Sequence, residues 1–156
     1  MKKKNNAGFS LVELIIVIAI MMILIGFLTP QFLKYVEKSR RAADMELMDN
    51  LFDAFSYASM DASVDESTIV KTNTNLGALS ATSGIPADKD YVVVAMNCLG
   101  VTNFSDYTKH FKSRAAKGVT PADVQLKANG LGVYTIVISS RTIGEDDLEV
   151  GMDTSR

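Results

Sequence analysis

Glu13 stands at the head of an otherwise uncharged apolar run: it follows Phe9-Ser10-Leu11-Val12 and precedes the stretch from Leu14 to Leu28. A carboxylate placed in hydrocarbon costs about 2.5–3.5 kcal/mol even on lenient insertion scales, so such an acid calls for a function and a nameable partner. A cut after Gly8 would supply one. Phe9 would then carry a new α-amino group in the same membrane layer as Glu13, able to pair with Glu13 of its own chain or of a neighbour. Pairing between chains would turn the burial penalty into a drive for assembly.

The remaining reactive residue types are sparse. The chain has one histidine, His110, and one cysteine, Cys98. No intrachain disulfide can form, and no catalytic or metal constellation built on His or Cys is expected. Cys98 reads as a small buried apolar residue, and His110 as a helix residue at a domain surface. Glu145, Asp146, Asp147 and Glu149 cluster near the end; oxygen ligands suit calcium, but EF-hand spacing is lacking and a solvated acidic turn is expected. The formal net charge of −2 leaves no basic footprint for nucleic acid. No cofactor is implied.

The elements that must position Glu13 follow from the pattern around it. Lys2, Lys3 and Lys4 precede Asn5-Asn6-Ala7-Gly8, and the segment from Phe9 to Leu33 is long enough to cross a bilayer as a helix, which needs about 20 residues. The three lysines favour a cytoplasmic leader, whereas Lys34, Lys38, Arg40 and Arg41 on the far flank oppose that signal. A cleavable secretory signal fits the charge and length, but Ile25-Gly26-Phe27-Leu28-Thr29-Pro30 offers no small-x-small cleavage site. A plain anchor leaves Glu13 unexplained, and a soluble core helix does not fit a segment apolar on all sides.

Gly8-Phe9-Ser10-Leu11-Val12-Glu13 resembles the leader junction of type IV prepilins and their pseudopilin relatives, and Pro30-Gln31-Phe32-x-x-Tyr35 continues the match at that family's spacing. The resemblance covers about the first 50 residues and is specific there. It implies cleavage between Gly8 and Phe9 by a prepilin peptidase that also N-methylates Phe9, a role for Glu13 in assembly, and a helix plus antiparallel sheet. It also implies a helical segment that loses order in the filament. Relatives often carry a glycine earlier in this run where Met22 stands, so the weak segment is confined here to Gly26–Pro30. Proline lacks a backbone donor and clashes with the preceding turn, and Gly26 favours unwinding, so a kink or local break is expected there independently. The lone Cys98 departs from the C-terminal disulfide loop of many adhesive pilins.

After Pro30 the pattern becomes amphipathic: Phe32, Tyr35, Val36, Ala42, Ala43, Leu47, Met48, Leu51, Phe52, Phe55 and Ala58 mark a stripe suited to a head domain. Charges on the other faces are basic from Lys34 to Arg41 and acidic from Asp44 to Asp53. They form either a solvated face or bands that meet between subunits. The helix would reach about 75–80 Å from Phe9 to Met60. In the head, Thr68–Thr72 reads as a short strand or last helical turn, Ser80–Asp90 as loop, and Tyr91–Met96 as the clearest strand. Thr102 would cap a helix of about a dozen residues bearing Phe104, Tyr107, His110 and Phe111. Val124–Ala128 and Gly132–Ser139 flank Asn129-Gly130, a hairpin signal, and a last strand is placed near Leu148–Val150.

The expected architecture is α+β. It comprises a leader over 1–8, a membrane or filament-core helix over 9–33, an amphipathic half over 34–60, and a globular head over 61–156 with two to four antiparallel strands. The function this implies is structural rather than enzymatic: a type IV pilus subunit, made at the bacterial cytoplasmic membrane and assembled into a surface filament for adhesion or motility. Its partners would be copies of itself or mixed pilins, the prepilin peptidase, an inner-membrane assembly platform, and lipid before assembly. A pseudopilin of a type II secretion or DNA-uptake machine shares the same chemistry. A membrane-anchored binding module is the rival from another class.

Overall fold

A computed structural model of the chain describes residues 9–81, 83–139 and 146–151. The leader, including Gly8, and Glu145 of the acidic cluster lie outside the described residues. The fold is α+β: a long N-terminal helix and a four-stranded antiparallel sheet. The chain divides into two compact units, Met1–Val36 and Glu37–Arg156.

Helix α1 spans Leu11–Met60. Its start is set by a pair four residues into the run: Ser10 C=O accepts from Leu14 N–H at 3.2 Å, while Glu13 Oε2 accepts from Ser10 N–H at 3.0 Å. This is the acidic half of a capping box, in which the third helical residue reaches back to the cap's own amide. The helix ends where Asp61 folds an Asx turn, its Oδ1 accepting from the Ser63 amide and hydroxyl at 2.8 and 2.7 Å.

Within the second unit α1 buries Asp44, Met48, Leu51, Ala54, Phe55 and Ala58, a stripe at helical spacing. The expected stripe was apolar throughout, and here the structure corrects it. Ala42 and Ala43 face solvent, as do Phe32 and Tyr35 of the first unit. The phase set by Met48, Leu51, Phe55 and Ala58 extends backward through Asp44, Arg41 and Glu37, so the first third of the buried face is polar.

The sheet is a meander, β1(Thr74–Asn75), β2(Val124–Ala128), β3(Val133–Ile138) and β4(Leu148–Gly151), in the order β1-β2-β3-β4. Leu126 opposes Ile136, which opposes Val150. With Val124, Ile138 and Leu148 they form one face that shares a core with Met48, Leu51 and Phe55. The Asn129-Gly130 turn joins β2 to β3 as expected, with Asn129 N–H bonded to Gly132 C=O at 3.3 Å and Gly130 at φ +89°. The described residues of the Ser80–Asp90 stretch are also irregular, as expected.

Four local expectations are overturned. Tyr91–Met96 is not a strand but part of α2(Tyr91–Leu99). The β-branched run of Val92 to Val94 suggests a strand, but tertiary and capping terms outweigh propensity. Asp90 Oδ1 accepts from Val92 and Val93 N–H, Gly100 closes the end in the left-handed region, and Tyr91, Val92 and Ala95 share a buried face. Thr68–Thr72 is neither strand nor helical turn. Thr68 Oγ1 instead accepts from Tyr91 N–H, and strand pairing begins at Thr74.

The next helix, α3(Phe104–Thr108), is five residues long and is capped by Asn103 rather than Thr102, because Asn103 Oδ1 accepts from Asp106 N–H. Its Phe104 and Tyr107, with Phe111 beyond it, enter the core, and His110 lies exposed just past its end. Cys98 is exposed, not buried, because it lies off the α2 face that Tyr91, Val92 and Ala95 bury.

Candidate functional site

Phe9 lies two residues before the first helical residue, Leu11, and is 90% exposed. From Leu11 to Leu33 every large apolar side chain is exposed, and the segment most apolar in composition has none of its residues buried by the protein. A contiguous apolar surface of that extent marks a membrane or protein contact. By length and composition this helix can cross a bilayer.

Glu13 is the one charged group in this run, and the structure gives it a local role that the charge argument omits. Its carboxylate satisfies the Ser10 amide, one of the backbone donors a helix start leaves without an intrahelical acceptor. An acid in the first turn also complements the positive end of the helix dipole. The Ser-x-x-Glu spacing was the signal available for this in the sequence. An amine created at Phe9 would be one residue from the amide that Glu13 already holds, so cap and ion pair would share a carboxylate.

Gly26 and Pro30 sit inside α1, which is assigned as helix without interruption across both. No local break is present. Pro30 has no N–H, so the Gly26 carbonyl lacks its usual donor from that position. Next to it, Thr29 Oγ1 donates to Ile25 C=O at 2.6 Å, adding a side-chain bond to the turn before the proline. A Cβ at Gly26 would meet no atom within 4 Å. Nothing among the described residues requires glycine there, and a small residue on an apolar helix lets another helix approach closely.

A second set of polar groups, missed in the sequence, anchors the other half of α1. Asp44 is fully buried and accepts from the N–H of Lys112 at 2.9 Å and of Ser113 at 2.8 Å. Glu37 Oε1 accepts from Arg114 N–H. Arg41 Nη2 donates to the carbonyls of Asp146 and Asp147 at 3.0 and 3.2 Å. The readable signal was phase: residues 37, 41 and 44 continue the apolar stripe, so their side chains had to meet the head.

Elsewhere, Asn50, Asp53, Tyr57, Cys98 and Tyr107 border an open groove of about 470 Å³. Among the described residues no three His, Cys, Asp or Glu converge as a metal-binding group. Asp147 and Glu149 of the acidic cluster are engaged, Asp147 through its carbonyl with Arg41 and Glu149 with Lys127 Nζ at 3.3 Å.

Residues 3–29 match the prokaryotic N-terminal methylation motif, the hallmark of type IV prepilin-like proteins. The N-terminus is prepilin-like. No curated protein and no solved structure matches the chain significantly. The prepilin-like motif ends before the amphipathic half of α1, so it covers the apolar segment, Glu13 and Gly26 but none of the residues that anchor the head.

Proposed function

We propose that this chain is a structural subunit of a type IV pilus. It is cut after Gly8, N-methylated at Phe9, and assembled through the apolar half of α1 into a helical surface filament. The observation that carries this reading is the unburied apolar helix with a single acid, Glu13, inside the matched motif. In a filament the exposed faces from Leu11 to Leu33 would bury one another, which supplies the driving force. The methylated amine of Phe9 would meet Glu13 of an adjacent subunit and offset the carboxylate's burial. Gly26 and Pro30 would let the packed segment bend or unwind. The segments are then a leader over 1–8, a core helix over 9–33, an amphipathic half over 34–60 and a head over 61–156. The partners are further pilin copies, the prepilin peptidase and the assembly platform.

The test is the mass and N-terminal sequence of the chain expressed with and without a prepilin peptidase. The expected product begins at Phe9 and carries one added methyl group, and Gly8→Ala abolishes it. A chain that keeps residues 1–8, or is cut beyond Leu28, would sink the reading. Purified surface filaments made chiefly of this chain identify a pilus, whereas short filaments confined to a secretion or DNA-uptake machine identify a pseudopilin.

A further inference from the structure

Asn129 and Gly130, which turn the β2–β3 hairpin, also carry reactive chemistry. Of the asparagines in the chain, only Asn129 is followed by glycine. Both residues are exposed. Asn129 Oδ1 accepts from Leu131 N–H at 3.2 Å, an Asx turn that folds the side chain back over the peptide bond after it. The fold brings Cγ toward the Gly130 nitrogen. Leu131 N–H then points at the oxygen that gains charge if this nitrogen adds to Cγ, as a donor of an oxyanion hole does. Gly130 N–H has no acceptor among the described residues. Gly130 sits at φ +89°, and a Cβ built on it would meet no atom within 4 Å, so solvent reaches the amide.

The other described asparagines lack this arrangement. Asn50 and Asn97 lie inside α1 and α2, where the following amide is bonded within the helix. Asn73, Asn75 and Asn103 turn their Oδ1 to the amides of Ala128, Ala78 and Asp106, and each precedes a residue that bears a side chain.

We propose that Asn129 is a site of spontaneous deamidation, promoted by the folded turn, with solvent water as the co-reactant. Hydroxide takes the Gly130 amide proton, and the nitrogen forms a bond to Asn129 Cγ while Leu131 N–H stabilises the charge on Oδ1. The Cγ–Nδ2 bond breaks, and ammonia leaves with a proton from water, which regenerates hydroxide. The resulting succinimide takes up one water. Opening at Cγ gives aspartate, and opening at the main-chain carbonyl gives isoaspartate, whose backbone runs through Cγ. Nothing is oxidised or reduced: an amide and water become a carboxylate and ammonium. Isoaspartate adds a backbone carbon to a loop held on both sides. Asn129 N–H bonds Gly132 C=O, Ala128 opposes Val133, and Val133 N–H bonds the buried Tyr91 Oη at 3.4 Å. An aged chain therefore carries a new negative charge at the hairpin tip and a loosened contact with α2. The reaction depends neither on cleavage after Gly8 nor on assembly, so it and the pilus reading can fail separately.

The experiment incubates the full chain in detergent at neutral pH and physiological temperature, beside a portion unfolded in guanidinium. Peptide mass spectrometry locates each product, and isoaspartyl methyltransferase with a labelled methyl donor counts isoaspartate. The expected signal at residue 129 exceeds that at any other asparagine by about tenfold or more, a barrier difference of about 1.4 kcal/mol. It forms in the folded chain at least as fast as in the unfolded one. Asn129→Gln should remove it while circular dichroism shows the fold retained. Slower conversion in the folded chain would overturn the proposal, because the turn would then protect the site. So would product spread evenly over the asparagines, or an isoaspartate signal that survives Asn129→Gln.

Discussion

The backbone N–H of Ser113 donates to Asp44 Oδ2 at 2.8 Å, across a sequence separation of 69 residues. The same carboxylate accepts from Lys112 N–H, so one buried acid holds a loop of the head to the helix. Hydrogen bonds to a charged acceptor contribute about 1.5–3 kcal/mol each, and an orphaned buried amide is costly. Asp44→Ala is therefore expected to destabilise the globular unit by about 2–4 kcal/mol, and Asp44→Asn, which keeps one acceptor oxygen, by less. Denaturant unfolding of the detergent-solubilised chain measures both. An alanine variant within about 0.5 kcal/mol of wild type would show that the clamp contributes little.

Glu13 has two separable roles, cap and charge, and two substitutions divide them. Glu13→Gln keeps an acceptor for Ser10 N–H but removes the charge, whereas Glu13→Ala removes both. If ion pairing with a Phe9 amine drives assembly, filament yield falls about tenfold or more in both variants, each factor of ten corresponding to about 1.4 kcal/mol. Normal yield in the glutamine variant with loss in the alanine variant would assign Glu13 to the helix start alone. Electron microscopy and quantification of sheared filaments give the readout.

Tyr91 is fully buried and its phenol is pushed up to about 12, by burial first, with its bond from Val133 N–H acting weakly the other way. A raised folded-state value means that the folded chain holds the proton more tightly. The contribution is fully present below the unfolded value of about 10 and is lost as pH rises toward 12. Stability should be flat in this respect up to pH about 10 and then fall by about 2–3 kcal/mol over the next two units. Tyr91→Phe should shallow that fall. An unchanged slope in the phenylalanine variant would remove Tyr91 from the explanation.

Gly151 closes β4 at φ +136°, and a Cβ there would lie 2.2 Å from the Tyr134 carbonyl oxygen on the neighbouring strand. Both the backbone conformation and the contact exclude a side chain. Gly151→Ala should cost about 1–3 kcal/mol through strain and displacement of the β3–β4 pairing. Faster amide exchange at Val137 and Ile138 would accompany the loss. A variant as stable as wild type, with exchange unchanged, would contradict the close approach.

Much of the fold was legible because its signals are local. The apolar run and the amphipathic stripe after it gave α1, and Asn129-Gly130 gave the hairpin of β2 and β3. The N-terminal motif was legible for the same reason, since contiguous residues carry it. What failed depended on distant partners. Val92, Val93 and Val94 favour a strand by type, but the Asp90 cap, the Gly100 stop and the packing of Tyr91 against Phe55 make the segment helical. Asp44 looked like a surface charge because its acceptor role is defined only by residues 112 and 113. Cys98 looked buried because cysteine usually is, and the rotational phase of α2, fixed by Tyr91 and Ala95, places it outside.

Every strand and short helix of the head follows α1 along the chain, which has a consequence in time. Synthesis delivers the helix first, and Met48, Leu51 and Phe55 must wait for β2 to β4 before they are covered. At about 5–20 residues per second, the roughly 100 residues that follow Ala58 take on the order of 5–20 s to make. For that interval the greasiest surface of the unfinished head is bare. Losses during biogenesis will therefore fall on aggregation of nascent chains more than on unfolding of the finished ones.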